Sequence, residues 1–217
     1  TSYYSPLIAP SRRWEAGYTV GRDAGTLVIG TSRAVLEGDL VSDTYQGARQ
    51  SRAAQAGLDG YQQGTQAVAR RAQLIVGSYT PYYYKEEGRL GYALDASAAT
   101  VGNIVVGAVD QRVADGLDLD GVLPESRQGT LYLDSTQLNS FGLGSVRLAT
   151  RGSIVVDRTL QMADGGDIVL FGPQVDVRAD LVARSGSIQL GNVLNQVDSG
   201  NTVVGDTVIN GDAAQGT

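Results

Sequence analysis

The sequence predicts an all-β protein built as a parallel β-helix, a solenoid of short stacked strands. Three observations carry this prediction: glycines stand just ahead of short β-branched runs, three of those glycines recur 22 and 20 residues apart, and an apolar-x-apolar pattern runs through each unit. Glycine supplies 29 of 217 residues, about twice the ordinary share, without the three-residue period of collagen. Gly129 precedes Thr-Leu-Tyr-Leu, Gly144 precedes Ser-Val-Arg-Leu, Gly152 precedes Ser-Ile-Val-Val, Gly166 precedes Asp-Ile-Val-Leu, and Gly186 precedes Ser-Ile-Gln-Leu. Each unit is a turn residue, a small polar residue and then a strand with one buried face.

Taken in chain order, residues 1–24 read as an irregular lead-in or cap, and 25–217 as one solenoid domain with insertions. Gly25 to Leu40, GTLVIGTSRAVLEGDL, matches Gly166 to Leu181, GDIVLFGPQVDVRADL, without a gap. Apolar residues take the third, fifth, tenth and twelfth places: Leu27, Ile29, Ala34 and Leu36 in the first, Ile168, Leu170, Val175 and Val177 in the second. Gly144 to Leu160 obeys the same pattern with one extra residue, which turns Ile154 and Val156 inward. Gly144, Gly166 and Gly186 stand 22 and 20 residues apart, the spacing at which stacked units share a core that none could close alone. Between these apolar ladders Arg147, Asp157, Asp176, Arg178 and Gln189 would face water.

Three stretches interrupt the pattern. Residues 43–71, rich in Gln, Ala, Gly and Arg, read as an insertion with a turn or two of helix near Ala48 to Ala56, broken by Gly57, Gly60 and Gly64. The chain returns to a strand at Ala72 to Val76. A second excursion covers 78–91 and a third 115–127; stacked strands carry such loops at little cost.

Composition removes several function classes. There are 17 basic against 23 acidic residues, a net charge of −6, which argues against nucleic acid or an anionic membrane surface as partner. No cysteine and no histidine are present, so disulfides, thiolate sites, the Ser-His-Asp triad, the common zinc sites and the usual neutral-pH proton shuttle are excluded. No apolar run approaches the roughly 18 residues that cross a bilayer, so no stable membrane insertion is expected. The first residues, Thr1 to Pro6, resemble neither an initiator region nor a signal peptide, and the tail from Gly211 to Thr217 is small and polar. Both ends read as cuts within a longer chain.

The units GTLVIGTSRAVLEGDLV, GSVRLATRGSIVVDRTLQ and GDIVLFGPQVDVRADLVA resemble those of the filamentous haemagglutinin family, large bacterial exoproteins of two-partner secretion. The resemblance covers Gly25 to Val41 in outline and Gly129 to Val193 more fully. It implies a right-handed parallel β-helix rod with inserted loops or a short helical excursion, exported unfolded through an outer-membrane pore partner and secreted or displayed at a Gram-negative cell surface. The family's secretion domain carries Asn-Pro signatures that this chain lacks, so an internal or C-terminal region is implied; the Arg-Gly-Asp tripeptide of some adhesins is also missing. Absence of cysteine suits a chain threaded unfolded through a pore.

Four tyrosines, Tyr79, Tyr82, Tyr83 and Tyr84, form the most unusual local feature in a chain with 11 Tyr but 2 Phe and 1 Trp. A tyrosine offers a flat apolar face with a polar tip, suited to stacking on sugars or anchoring a protein; the alternative is rings packed back onto the body of the fold. Asp115, Asp118, Asp120 and Glu125 supply oxygens for calcium in principle, but no glycine-pivoted loop accompanies them, so a solvated acidic loop and no metal are expected. Asp157, Asp176 and Arg178 on adjacent units could serve a polysaccharide-active site, yet charged outward residues are what any solenoid face displays. The expectation is therefore a non-enzymatic adhesin segment without cofactors that attaches to a host or bacterial cell-surface receptor or glycan. The alternatives are the stalk or receptor-binding region of a contact-dependent toxin-delivery exoprotein, a polysaccharide-active enzyme and a passive spacer.

Overall fold

The computed structural model describes residues 17–31, 33–51, 68–77, 79–84, 89–94, 102–110, 112–113, 117–118, 120–191, 193–197 and 203–208. For 80–84, 89–94, 193–197 and 203–208 the description is of backbone, Tyr92 apart. Most of the lead-in over 1–24, most of the 43–71 insertion and the tail from Gly211 lie outside the described residues. The chain forms two compact units: Thr1–Asp23 with Thr44–Arg70, and Ala24–Asp43 with Arg71–Thr217.

In the smaller unit one side chain ties two segments together. The Gln50 amide oxygen accepts from the backbone N–H of Gly21 (2.7 Å) and of Gly47 (2.9 Å), and its nitrogen donates to the Gly21 carbonyl at 3.0 Å. Gln50 sits in the short helix α1 (Ala48–Ser51), where the sequence predicts a helical turn; the remainder of that expected helix lies outside the described residues.

The larger unit is all-β with few helices. Its strands, in order, are β1 (Thr26–Ile29), β2 (Gln73–Gly77), β3 (Tyr79–Tyr84), β4 (Arg89–Leu94), β5 (Asn103–Gly107) and β6 (Thr130–Asp134). Helix α2 (Ser135–Ser140) follows, and then β7 (Ser145–Ala149), β8 (Ser153–Val156), β9 (Leu160–Gln161), β10 (Asp167–Phe171), β11 (Gln174–Val177), β12 (Leu181–Val182), β13 (Ser187–Gly191), β14 (Val193–Val197) and β15 (Val203–Val208). Five of them form one parallel sheet in the order β1-β2-β7-β10-β13. Thr26 pairs with Gln73, Gln73 with Ser145, Ser145 with Asp167, and Asp167 with Ser187. A second sheet runs β11-β8-β5-β6, also parallel throughout, and β9 pairs with β12 in parallel.

This register carries the alternation into one core. Leu74, Val76, Val146, Leu148, Ile168 and Leu170 of the first sheet meet Ile104, Val106, Leu131, Leu133, Ile154 and Val156 of the second in a single buried cluster. Burying each such side chain is worth about 1.5–3 kcal/mol. Leu27, Ile29, Ala34 and Leu36 pack against this cluster partly buried, as does Val175. At the far end Ile188 and Leu190 of β13 are 44% and 45% exposed and Val177 of β11 is 37% exposed. All three occupy apolar ladder positions, but β13 and β11 are the last strands of their sheets among the described residues.

The recurrent glycines have a steric cause. The amide after each donates to the glycine carbonyl of the neighbouring repeat: Asp167 to Gly144 at 3.0 Å and Ser187 to Gly166 at 3.2 Å. A Cβ on Gly186 would lie only 1.6 Å from the Gly166 oxygen, and one on Gly166 only 2.5 Å from that of Gly144. No side chain fits between rungs so close.

Four features depart from the sequence expectation. First, β6 pairs with β5 on the side away from β8, so the chain does not lay each strand beside the next in order. Among the described residues of 30–43 no strand forms; β6 supplies the partner that this edge of β5 would lack. Second, α2 starts at Asp134, whose carboxylate accepts from the Gln137 N–H at 2.8 Å. Third, the excursion expected over 78–91 is an antiparallel hairpin, β3 with β4. Fourth, β14 and β15 also form an antiparallel pair. Among the described residues no helix is long and apolar enough to cross a membrane.

Candidate functional site

The hairpin holds all four tyrosines on β3. Tyr79 is 5% exposed and packs with Ile75, Ala149 and Phe171, which lie on the outward face of the first sheet; Val28 and Tyr92 border the same cluster. That contact explains why Ile75 and Phe171 sit buried on a face that alternation turns away from the main core. The Tyr79 hydroxyl is buried without a hydrogen-bond partner, and burial pushes its pKa up to about 12, with the Arg147 charge working against the shift and Asp167 adding to it. The side chains of Tyr82, Tyr83 and Tyr84 lie outside the described residues.

Arg147 stands on the outward face as expected but meets water only in part: its side chain is 36% exposed and its Nε is buried without a partner. Its Nη2 stands 3.5 Å from Asp167 Oδ2, which also accepts from the Ser145 hydroxyl at 2.8 Å. The cause is local, because the apolar cluster around Tyr79 covers part of the surface on which Arg147 lies.

Of the outward triad, Arg178 donates from Nε to Asp176 Oδ2 at 2.8 Å, and this bond with the Asp176 charge raises the arginine pKa. The Asp157 charge raises it further, by less, as their places one residue past the paired Val156 and Val177 require. Asp176 is thus engaged as an ion-pair partner. Of the acidic loop residues, Asp115 lies outside the described residues, the Asp118 backbone carbonyl closes a turn by accepting from the Gly121 N–H at 2.8 Å, and Glu125 opens a 3-10 helix over Glu125–Arg127. Among the described residues no group of three or more His, Cys, Asp or Glu side chains could hold a metal ion.

Among the described residues there is also a concavity to which no sequence signal points. A groove of about 530 Å³ is bounded by Leu36 to Asp39 on one wall, Val109 and Arg112 on a second, and Asp134, Thr136, Gln137 and Ser140 on a third. Its frame is built from polar side chains. Glu37, 8% exposed, accepts the Val113 N–H on both oxygens at 2.9 Å and lies 3.9 Å from Arg112 Nε and 3.8 Å from Arg127 Nη2. Arg112 Nη2 donates to the Glu37 carbonyl at 2.8 Å, and the Arg127 guanidinium stands 4.8 Å over the Tyr132 ring. Asp134 caps α2 with one oxygen and accepts the Val109 N–H with the other at 3.1 Å, while Gln137 donates to the Gly38 carbonyl at 2.8 Å. Glu37 had been visible only as one letter of the repeat Ala-Val-Leu-Glu-Gly-Asp-Leu; nothing in its spacing signals three partners from residues 112–127.

No protein-family model, no curated protein and no solved structure matches this chain.

Proposed function

We propose that the chain is a segment of a large bacterial adhesin related to the filamentous haemagglutinins, a right-handed parallel β-helix rod secreted or displayed at the cell surface. The observation that carries this reading is the run of in-register apolar ladders through β2, β7 and β10, with repeats 22 and 20 residues apart from Ser145 to Asp167 to Ser187. A column built in this way extends by adding repeats, and it offers its outer surface to whatever it meets. The hairpin of β3 and β4 and the groove beside β6 interrupt that surface with features the repeat itself does not need. They are the places at which a rod of this kind contacts a host or neighbouring cell.

The test is attachment of the fluorescently labelled protein to epithelial cells and to bacterial cells, read by flow cytometry. Saturable attachment, weakened when residues 78–94 are replaced by a short glycine-serine turn, is the expected result. Absence of attachment to both cell types, or turnover of a polysaccharide panel by the protein, would remove the adhesive reading.

A further inference from the structure

The groove described above has chemistry that goes beyond a structural frame. We propose that it binds a neutral oligosaccharide through Asp39, Arg112, Thr136 and Ser140. This deepens the adhesive reading and rests on it for the biological setting, but the binding itself is measurable alone.

Glu37, Asp134 and Gln137 are committed to backbone and arginine partners. Asp39, Thr136 and Ser140 are exposed along the same walls, and the Arg112 side chain is 60% exposed although its inner edge is held by Glu37. The Ser140 hydroxyl donates to the Gln137 carbonyl at 2.7 Å and keeps its acceptor lone pairs, so the remaining groups are a carboxylate that accepts, a guanidinium that donates, the Thr136 hydroxyl that does both and the Ser140 hydroxyl that accepts. Adjacent sugar hydroxyls each donate and accept, and they satisfy such a set without carrying charge.

Competing ligand classes fit less well. Among the described residues the lining holds Leu36 and Val109 as its apolar side chains and no aromatic ring, so a flat or strongly apolar ligand finds no stacking surface there. Among the described residues three carboxylates, Glu37, Asp39 and Asp134, stand against two guanidiniums, Arg112 in the lining and Arg127 on Glu37, a balance that disfavours sulfated or sialylated chains. Arg112 in turn disfavours a basic peptide at the same wall. A volume of about 530 Å³ lies within the range of small-ligand pockets. Because the walls are fixed by the bonds of Glu37, Asp134 and Gln137, little ordering cost attends binding.

Isothermal titration calorimetry of the full chain tests this with hexasaccharides of glucose, of galactose and of N-acetylglucosamine, beside a heparin hexasaccharide and hexalysine. At least one neutral sugar should bind, and Asp39→Asn and Thr136→Val should each weaken it about tenfold with unchanged thermal unfolding. Binding of no neutral sugar, equal affinity in both variants, or preference for heparin or hexalysine would overturn the proposal. Cell attachment measured in parallel separates the two readings. Attachment undiminished in the double variant removes the groove and leaves the adhesin, whereas sugar binding without attachment does the reverse.

Discussion

Residues 145–191 and residues 103–140 contribute parallel strands to the same core but are held in different ways. In the first region each strand pairs with the next copy of itself, Ser145 with Asp167 and Asp167 with Ser187, and the ladder residues Val146, Leu148, Ile168 and Leu170 are at most 1% exposed. In the second, β5 and β6 pair out of the expected order, and individual polar side chains fix the chain between elements: Glu37 on Val113 and two arginines, Asp134 on Val109, Gln137 on Gly38. Repetition stabilises the first through many equivalent contacts. The second depends on a few unique ones, and it is there that the surface becomes concave.

The contrast can be broken most severely in the repeat region. Ile168→Asp or Val156→Asp would place an unpaired carboxylate at a position that is 0% exposed, at a cost of about 4 kcal/mol or more. Urea titration should show no folded baseline, whereas Gln189→Asp, on an exposed outward position of β13, should stay within about 0.5 kcal/mol. Equal tolerance at the two kinds of site would contradict the facing of the strands.

A smaller loss is expected in the second region. Glu37→Ala leaves the Val113 N–H and two guanidinium groups without their carboxylate, and should cost about 2–4 kcal/mol. Hydrogen exchange should rise first at Val113 and leave β7 and β10 protected; uniform loss of protection across both regions would merge what the structure separates.

Tyr79 sharpens the comparison on the outer face. The unfolded chain releases a phenol proton near 10.0, whereas the folded protein holds this one to about 12. Between these values the folded state binds more protons, so stability is intact below pH 10 and falls as pH rises towards 12, by roughly 2–3 kcal/mol. Tyr79→Phe should abolish that loss in urea titrations across the range. At neutral pH it should be neutral or stabilising by up to about 1 kcal/mol, since it removes a buried hydroxyl that has no partner. Destabilisation by this change would mean that the hydroxyl is satisfied.

How much could be read from the sequence follows the same division. Strands at β1, β6, β7, β8, β10, β11 and β13 were legible from glycines ahead of alternating apolar residues, and β2 from its apolar run alone; the extra residue before β8 reappears as pairing of Ser153 with Gln174 against Ser145 with Asp167. Strand β5 carries the same signature, Gly102 and Asn103 before Ile104 and Val106, and was passed over because no neighbouring copy lay at the expected distance. Helix α2 was announced by Asp134 with Gln137 three residues on, a capping pattern that β-repeat reasoning has no place for. The groove was not legible at all: its walls come from residues 36–39, from Val109 and Arg112, and from Asp134, Thr136, Gln137 and Ser140, and only the fold brings them together. Among the tyrosines, the reading of rings packed back onto the body of the fold holds for Tyr79, but sequence could not name Ile75 and Phe171 as the surface that receives it.

Parallel, in-register stacking of successive repeats is the premise of all these expectations, and the absence of cysteine makes it directly measurable. Val155 and Asp176 are register partners on β8 and β11, and adjacent strands lie about 4.8 Å apart, within disulfide reach. In the double variant Val155→Cys with Asp176→Cys, mild oxidation of the folded protein should close an intramolecular disulfide nearly completely, while Val155→Cys with Arg178→Cys should not. Failure of the aligned pair to close, or equal closure of the shifted pair, would contradict the stacking.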